Sequence, residues 1–337
     1  MKIAILTHPL GANYGGILQA YALSCYLQRK GHNVVVLNRQ PNHNIFIRFI
    51  KKLLITLGHP RYNNPRYLYL RRFIKKYINY SQAIYSTRSL NSFLKRNKIE
   101  VVVVGSDQVW RKDFAMGYGY NYFLDFVPDE TIRIAYAASF GLSTWDYTQE
   151  QTCEIEKLIK RFANISVRED EGVALCRKYL NIEASHVLDP TMLLKVEEYE
   201  NIMSPRIVEE NYVFVYWLGS EKAKKEALVK ITDKTKRIVD ISLRGDQALI
   251  AIENWLSYIK YADQVITDSF HGCVFSILFH KQFILSANNS GGNGRLSSLF
   301  RMLDINTEDK ELDFKIIEKR LNGRRVKSEQ FINKALQ

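Results

Sequence analysis

The first 99 residues contain no aspartate and no glutamate, against 17 lysines and arginines. The remainder holds 31 basic and 35 acidic side chains, so the net charge of +13 belongs to one end of the chain. Long apolar runs are also missing. The strongest, VVVVG and VVVL, fall far below the roughly 20 residues that cross a bilayer, and the N-terminus reads as a strand with no signal-peptide cleavage site, so a cytoplasmic location is expected. Cysteine is scarce: Cys25, Cys153, Cys176 and Cys273 stand far apart without CxxC or metal spacing. That argues against a disulfide framework and a zinc site, and no metal is expected. Motifs for nucleic-acid binding are absent, so no nucleic-acid partner is expected, and no motif speaks to oligomeric state.

What is present is a globular composition, 46% hydrophobic over 337 residues, long enough for two cores. Residues 2–8, KIAILTH, form an apolar run that ends in the polar loop PLGANYGG; a helix-like ILQAYALSCYLQRKG and a second strand, HNVVVLN, follow. This is the opening of a parallel sheet. Apolar runs at 98–107, 133–141, 165–170 and 184–190 repeat the pattern, each ending in a polar turn. A helix-like EEYENIMSPRIVEEN leads to a second alternating series that begins with YVFVYWLGS at 212–220. The expectation is α/β: two Rossmann-like, doubly wound domains, 1–195 and 205–337, facing across a cleft at the carboxyl ends of their strands. A basic helical insertion occupies about 42–95 of the first domain, and the tail beyond about 305 reads as a charged helix able to fold back on that domain.

The insertion carries Arg48, Lys51, Lys52, Arg61, Arg66, Arg71, Arg72, Lys75 and Lys76 among aliphatic and aromatic residues over 45–80. Such a basic amphipathic segment suits an anionic membrane surface or a phosphorylated ligand, and equally a helix whose apolar side packs on its own domain.

The polar turns hold the chemistry-bearing residues. In PLGANYGG, a Gly-rich strand-to-helix loop is a natural anion site, although it lacks both the dinucleotide fingerprint and the P-loop lysine. His8, Asn13, Tyr14 and Gly15 add donors and close approach there, while the plainer reading is a tight packing turn. In GSDQVWR, Gly105 permits backbone approach, Ser106 and Asp107 can cap or bind, and Trp110 offers a flat face for a sugar ring. Arg168, at a strand end in ISVRED, suits bidentate contact with carboxylate or phosphate; its alternative is a surface ion pair. Arg295 follows a Gly-rich loop in GGNGRLSSLF, where it can close over an anion or serve as a surface arginine. In TDSFHGCVF, His271 lies just past a strand end with Asp268 near enough to orient it, flanked by Ser269, Phe270 and Gly272: the form of a general acid–base unit.

Taken in order, PLGANYGGILQAYAL, VVVVGSDQVWR, RIAYAASFG, ISVREDEGVALC, HVLDPTMLL and VITDSFHGCVFSILFHKQFI resemble the polysaccharide pyruvyl transferase family over residues 1 to about 300. The resemblance implies a fold similar to GT-B glycosyltransferases. It also implies transfer of the pyruvyl unit of phosphoenolpyruvate to a sugar of a surface polysaccharide or its lipid-linked precursor, forming a cyclic ketal and releasing phosphate, with no cofactor. Family arginine and R-x-H-G turns that bind the donor map onto Arg168 and His271. Here Ser269 stands where the second arginine is expected, so Arg295, His8 or an insertion residue must replace it, or the donor differs. On this reading His271 is the acid, Arg168 and Arg295 clamp the anion, Asp107 is the base or accepts from a sugar hydroxyl, and the sugar lies on Trp110 and the N-terminal loop. Two other readings fit the same residues: a glycosyltransferase with a nucleotide-sugar donor, and a non-catalytic glycan- or membrane-surface-binding protein. Work on a lipid-linked acceptor would place the protein peripherally at the inner face of the membrane, through residues 45–80.

Overall fold

The computed structural model describes residues 1–11, 13–42, 67–229, 236–242, 249–285, 293–306 and 311–337. The first half is a parallel sheet of order β2-β1-β3-β4-β5-β6, built from Lys2–Leu6, Asn33–Val36, Val101–Val104, Ile132–Ala138, Asn164–Val167 and Ser185–His186 (β1 to β6). The second is a parallel sheet of order β10-β9-β7-β8, from Tyr212–Trp217, Arg237–Ser242, Gln264–Thr267 and Gln282–Leu285 (β7 to β10). β3 is four valines, all buried, as a central parallel strand covered on both faces requires.

Among the described residues, the helices longer than two turns are Tyr14–Arg29, Leu68–Tyr77, Thr87–Asn97, Gln149–Ile159, Asp170–Leu180, Glu221–Leu228, Ile252–Tyr261, Phe270–Leu278, Asn293–Leu303 and Phe314–Ala335, here α1 to α10. α1 starts three residues earlier than the apolar pattern suggests. Asn13 accepts a hydrogen bond from the Gly16 N–H and so caps the helix ahead of its two glycines. By contrast, the helix-like stretch after Pro190 yields one turn, Val196–Glu200, before Pro205 and an irregular connection.

Of the basic insertion, residues 43–66 lie outside the described residues, Arg48, Lys51, Lys52, Arg61 and Arg66 with them. α2 holds Arg71, Arg72, Lys75 and Lys76 on an exposed face and buries Leu70, Phe73 and Ile74. Its apolar side packs on the protein itself, with Phe73 against Tyr21 of α1.

The halves share a core. Tyr14 at the start of α1 stacks on Trp255 of α7 at 5.5 Å and donates its hydroxyl to the Ile250 carbonyl. α10, capped by Asp313, crosses back to the first half: Ser328 Oγ accepts from the Leu188 N–H, and Arg325 Nε donates to the Met192 carbonyl. The carboxyl ends of β1, β3, β4, β5 and β6 thus face the carboxyl ends of β7 and β9, which is where a doubly wound pair binds its ligand.

Candidate active site

Side chains from both halves meet at those strand ends, and charge is concentrated there out of water. Arg168 and Glu169 leave β5, Asp107 leaves β3 and Asp189 follows β6; all four are buried. His271 arrives from the first turn of α8, 6% exposed. It gets that close because residue 15 has no side chain: a Cβ there would lie 1.9 Å from His271 Nδ1. Gly15 is therefore the contact point between α1 and α8.

Asp189 is the hub. Its Oδ2 accepts from Arg168 Nη1 at 2.8 Å and from Ser106 Oγ at 3.2 Å; its Oδ1 accepts from the Thr191 N–H and hydroxyl and lies 3.8 Å from His271 Nε2. Burial pushes this carboxyl up, but His271 and Arg168 outweigh burial and hold it well below the usual carboxylate range. For Asp107 burial is likewise opposed, by Arg168, His8, His271 and Arg295, and its carboxyl stays below the ordinary range. Asp107 also adopts φ of 78°, the left-handed region that few non-glycine residues enter, beside Gly105 at φ 116°. Arg168 loses hydration on burial, yet Asp189, Asp107 and Glu169 keep its guanidinium above its ordinary value. Burial, then Arg168, push the Arg295 guanidinium down to about 10, so it is still charged at neutral pH.

Several nitrogens of this cluster lack a hydrogen bond, as does one carboxylate oxygen, Glu169 Oε2. Arg168 Nε and Nη2, Arg295 Nε, Arg111 Nε, His271 Nε2 and His8 Nε2 are buried without a hydrogen-bond partner. Buried polar groups are normally paired, so a convergent set of this kind marks a place for an anion. Beside it, His8, Asn13, Asp107, Gln108, Asp113, Phe114 and Tyr118 line a cavity of about 480 Å³. A larger hollow of about 740 Å³ lies at the starts of β5 and β6, among Lys160, Lys327 and Lys334, away from the converging charges.

Several sequence expectations change here. Trp110 is not a sugar platform: it is fully buried, stacked on Phe123, with its indole N–H donating to the Tyr122 carbonyl. The aromatic rings on the cavity are Phe114 and Tyr118. Tyr14 is fully buried at the junction of the halves, so its hydroxyl bridges them instead of meeting a ligand. Asp268 accepts from the Leu218 and Gly219 N–H groups at 2.8 and 2.6 Å; the carboxylate beside the imidazole is Asp189. Phe270 lies under the Arg168 guanidinium at 4.6 Å, a cation–π contact from one half to the other. Ser269 caps α8 by accepting from the Gly272 N–H, and Ser106 is buried with its hydroxyl toward the Ala137 carbonyl and Asp189.

His8, Asn13, Gly15, Asp107, Arg168, His271 and Arg295 are brought to the cluster or its cavity, while Gly105, Ser106, Ser269 and Gly272 form its backbone frame. Asp189 and Glu169 were not singled out. Their signal was present, as each lies in a polar turn beyond a strand, in HVLDPT and SVRED.

A sequence model described as polysaccharide pyruvyl transferase matches residues 13–290. Among solved structures, the chain is similar to the UDP-GlcNAc 2-epimerase of Methanocaldococcus jannaschii, at 13% identity over 96% of this chain and 99% of that one, with a TM-score of 0.50. A putative UDP-N-acetylglucosamine 2-epimerase from Listeria monocytogenes is similar at 9% identity over 95% and 90%, with a TM-score of 0.51. The Neisseria meningitidis UDP-GlcNAc 2-epimerase bound to UDP-GlcNAc is similar at 11% identity over 100% of both chains, with a TM-score of 0.50. These likenesses establish a GT-B-type fold and nothing about substrate. Among curated proteins none matches the chain.

Proposed function

The chain belongs to the polysaccharide pyruvyl transferase family, and on that premise we propose that it moves the pyruvyl unit of phosphoenolpyruvate onto two hydroxyls of a sugar in a surface glycan or its lipid-linked precursor. The reading is carried by the buried, unpartnered nitrogens of Arg168, Arg295 and His271, which suit a small ligand bearing a carboxylate and a phosphate. His271 delivers a proton to the methylene carbon, leaving an oxocarbenium-like centre. One sugar hydroxyl adds there and loses its proton to Asp107. Phosphate then leaves with both electrons of its C–O bond, and the second hydroxyl closes the ketal. Two hydroxyl protons are released in all; one replaces the proton given to carbon and the other goes to phosphate. The scheme uses neither metal nor cofactor. Arg295 takes the role of the arginine replaced by Ser269, and the acceptor sugar lies in the cavity beside Asp107, on Phe114 and Tyr118.

Phosphate release from phosphoenolpyruvate, followed by phosphorus NMR with and without glycan acceptors, tests this directly. Acceptor-dependent release is expected; binding of UDP-sugars with no binding of phosphoenolpyruvate would favour a glycosyltransferase instead. One observation weighs against a diphosphate at the β7 turn: its N–H groups are already taken by the Asp268 carboxylate.

No described helix is long and apolar enough to cross a membrane. A lipid-linked acceptor brings the protein to an anionic leaflet from the cytoplasmic side, and the exposed basic face of α2 is suited to it, each charge near the surface contributing about 1 kcal/mol. Because Leu70, Phe73 and Ile74 of α2 are buried, this contact is chiefly electrostatic, with Leu68 and Tyr69 as the exposed apolar side chains of the helix. Changing Arg71, Arg72, Lys75 and Lys76 to Gln should weaken sedimentation with anionic vesicles. Failure of the unaltered protein to bind such vesicles at low salt would sink the idea.

A further inference from the structure

One face of α9 repeats a polar residue every third position, Arg295, Ser298 and Arg301, and all three point across the junction of the halves. Residues three apart share a helix face. Ser298, fully buried, accepts a hydrogen bond from the Asp170 N–H at 3.0 Å and lies 3.2 Å from His186 Nε2, which in turn sits 3.1 Å from the Arg168 carbonyl. Arg301 forks onto Asp170, with Nε to Oδ2 at 2.9 Å and Nη2 to Oδ1 at 2.7 Å, and reaches Glu171 Oε1 at 2.6 Å. Asp170 and Glu171 begin α5 and follow directly on Arg168 and Glu169. The strand end that supplies one buried arginine to the site is thus the same piece of chain on which the helix carrying the other is fastened.

We propose that Ser298 and Arg301 are positioning residues that fasten α9 of the second half onto the start of α5 in the first and thereby hold Arg295 over the anion site. The inference rests on the donor reading given above for Arg295. By linkage, an anion bound between Arg168 and Arg295 must in turn strengthen the docking of α9, because whatever favours the docked state is favoured by it. The interface is suited to this role: Ser298 supplies one buried contact that fixes register, and Arg301 supplies a more exposed fork onto Asp170 and Glu171.

The test has two arms. Amide hydrogen exchange over residues 293–303, without ligand, reads docking; calorimetric binding of phosphoenolpyruvate reads the site. Arg301→Gln should speed exchange in that segment and weaken phosphoenolpyruvate binding roughly 3- to 10-fold, the range an exposed but forked guanidinium–carboxylate contact supports. Arg301→Lys should recover part of both, and Asp170→Asn should reproduce Arg301→Gln from the other side of the pair. In an Arg295→Ala background Arg301→Gln should no longer change affinity, since its only route to the donor is through Arg295. Unchanged exchange in Arg301→Gln overturns the proposal, as does an affinity loss that persists without Arg295. A protein that binds no phosphoenolpyruvate, yet exchanges faster over 293–303 when Arg301 is altered, counts for the fastening and against the donor reading.

Discussion

Asp107 and Asp268 stand in matching places, one past β3 in the first half and one past β9 in the second, each in a small polar turn beyond an apolar strand. They do different work. Around Asp268 the neighbouring β7 turn presents two N–H groups, and the carboxylate is consumed in bonding them. Around Asp107 the neighbours are cations: Arg168 at 3.5 Å, with His8, His271 and Arg295 near enough to depress its pKa, and its side chain lines the cavity. A strand-end aspartate becomes chemistry or scaffold according to whether the adjoining turn offers backbone donors or charge.

The largest expected effects fall on the chemical side of this pair. Asp107→Asn should cost roughly 10² to 10⁴ in turnover, the usual size of a general-base contribution, and His271→Asn should cost as much with donor affinity nearly unchanged. Asparagine tolerates the left-handed backbone at 107, so the variant should fold, with its melting temperature at neutral pH lowered by the loss of the carboxylate that the surrounding cations stabilise. Turnover kept in Asp107→Asn would erase the distinction between the two aspartates. Equal losses of rate and donor affinity in His271→Asn would make the imidazole an anion ligand.

Next comes Arg168→Ala, which removes one partner of a fully buried ion pair and leaves Asp189 with His271 as the cation beside it. About 3–5 kcal/mol of stability should go with it, along with donor binding, readable by urea unfolding. A surface ion pair, the plainer alternative for this arginine, would cost under about 1 kcal/mol. On the scaffold side, Asp268→Asn should cost about 1–3 kcal/mol, because one backbone N–H of the β7 turn loses its acceptor. The folded fraction should keep its turnover. If instead that variant is stable and inactive, Asp268 belongs with the chemistry.

Acid sharpens the same contrast. Asp107 and Asp189 are held below the ordinary carboxylate range in the folded protein, so each contributes stability that is fully present above about pH 4, the unfolded value, and is lost as pH falls toward the folded value. Urea midpoints should be flat from pH 7 to about 5 and drop below about 4, less steeply in Asp107→Asn. An identical slope in that variant would mean its carboxylate is not held down by the cluster.

The alternation of strands and helices was legible because parallel strands buried on both faces read as unbroken apolar runs, VVVV above all. The turns were legible for the same reason, as polar interruptions. What the turns do was not. The Asp268 bonds reach 49 and 50 residues back along the chain, and Asp189 meets Arg168 and His271 only after three strands and two halves have assembled. Tyr14 read as a donor in the N-terminal loop, and Phe270 as a flank of the His271 turn. Here they hold one half against the other.

The smallest predicted effect separates two aromatic residues four positions apart. Trp110 was the sequence's choice of platform, but its ring is buried among Phe123, Phe140 and Phe162, whereas Phe114 is 43% exposed on the cavity wall beside His8 and the Arg111 guanidinium. A sugar presents an apolar face of a few C–H groups to such a ring, so the contact gains only part of the burial energy of a full side chain. Phe114→Ala should therefore raise the acceptor KM about 2- to 10-fold, with donor affinity and melting temperature little changed. Trp110→Phe should do the reverse, lowering stability by about 1–3 kcal/mol through a cavity and a lost indole hydrogen bond while leaving the acceptor KM alone. A Phe114→Ala enzyme with unchanged acceptor kinetics would place the sugar elsewhere, and Tyr118, which lines the same cavity, is the next residue to change.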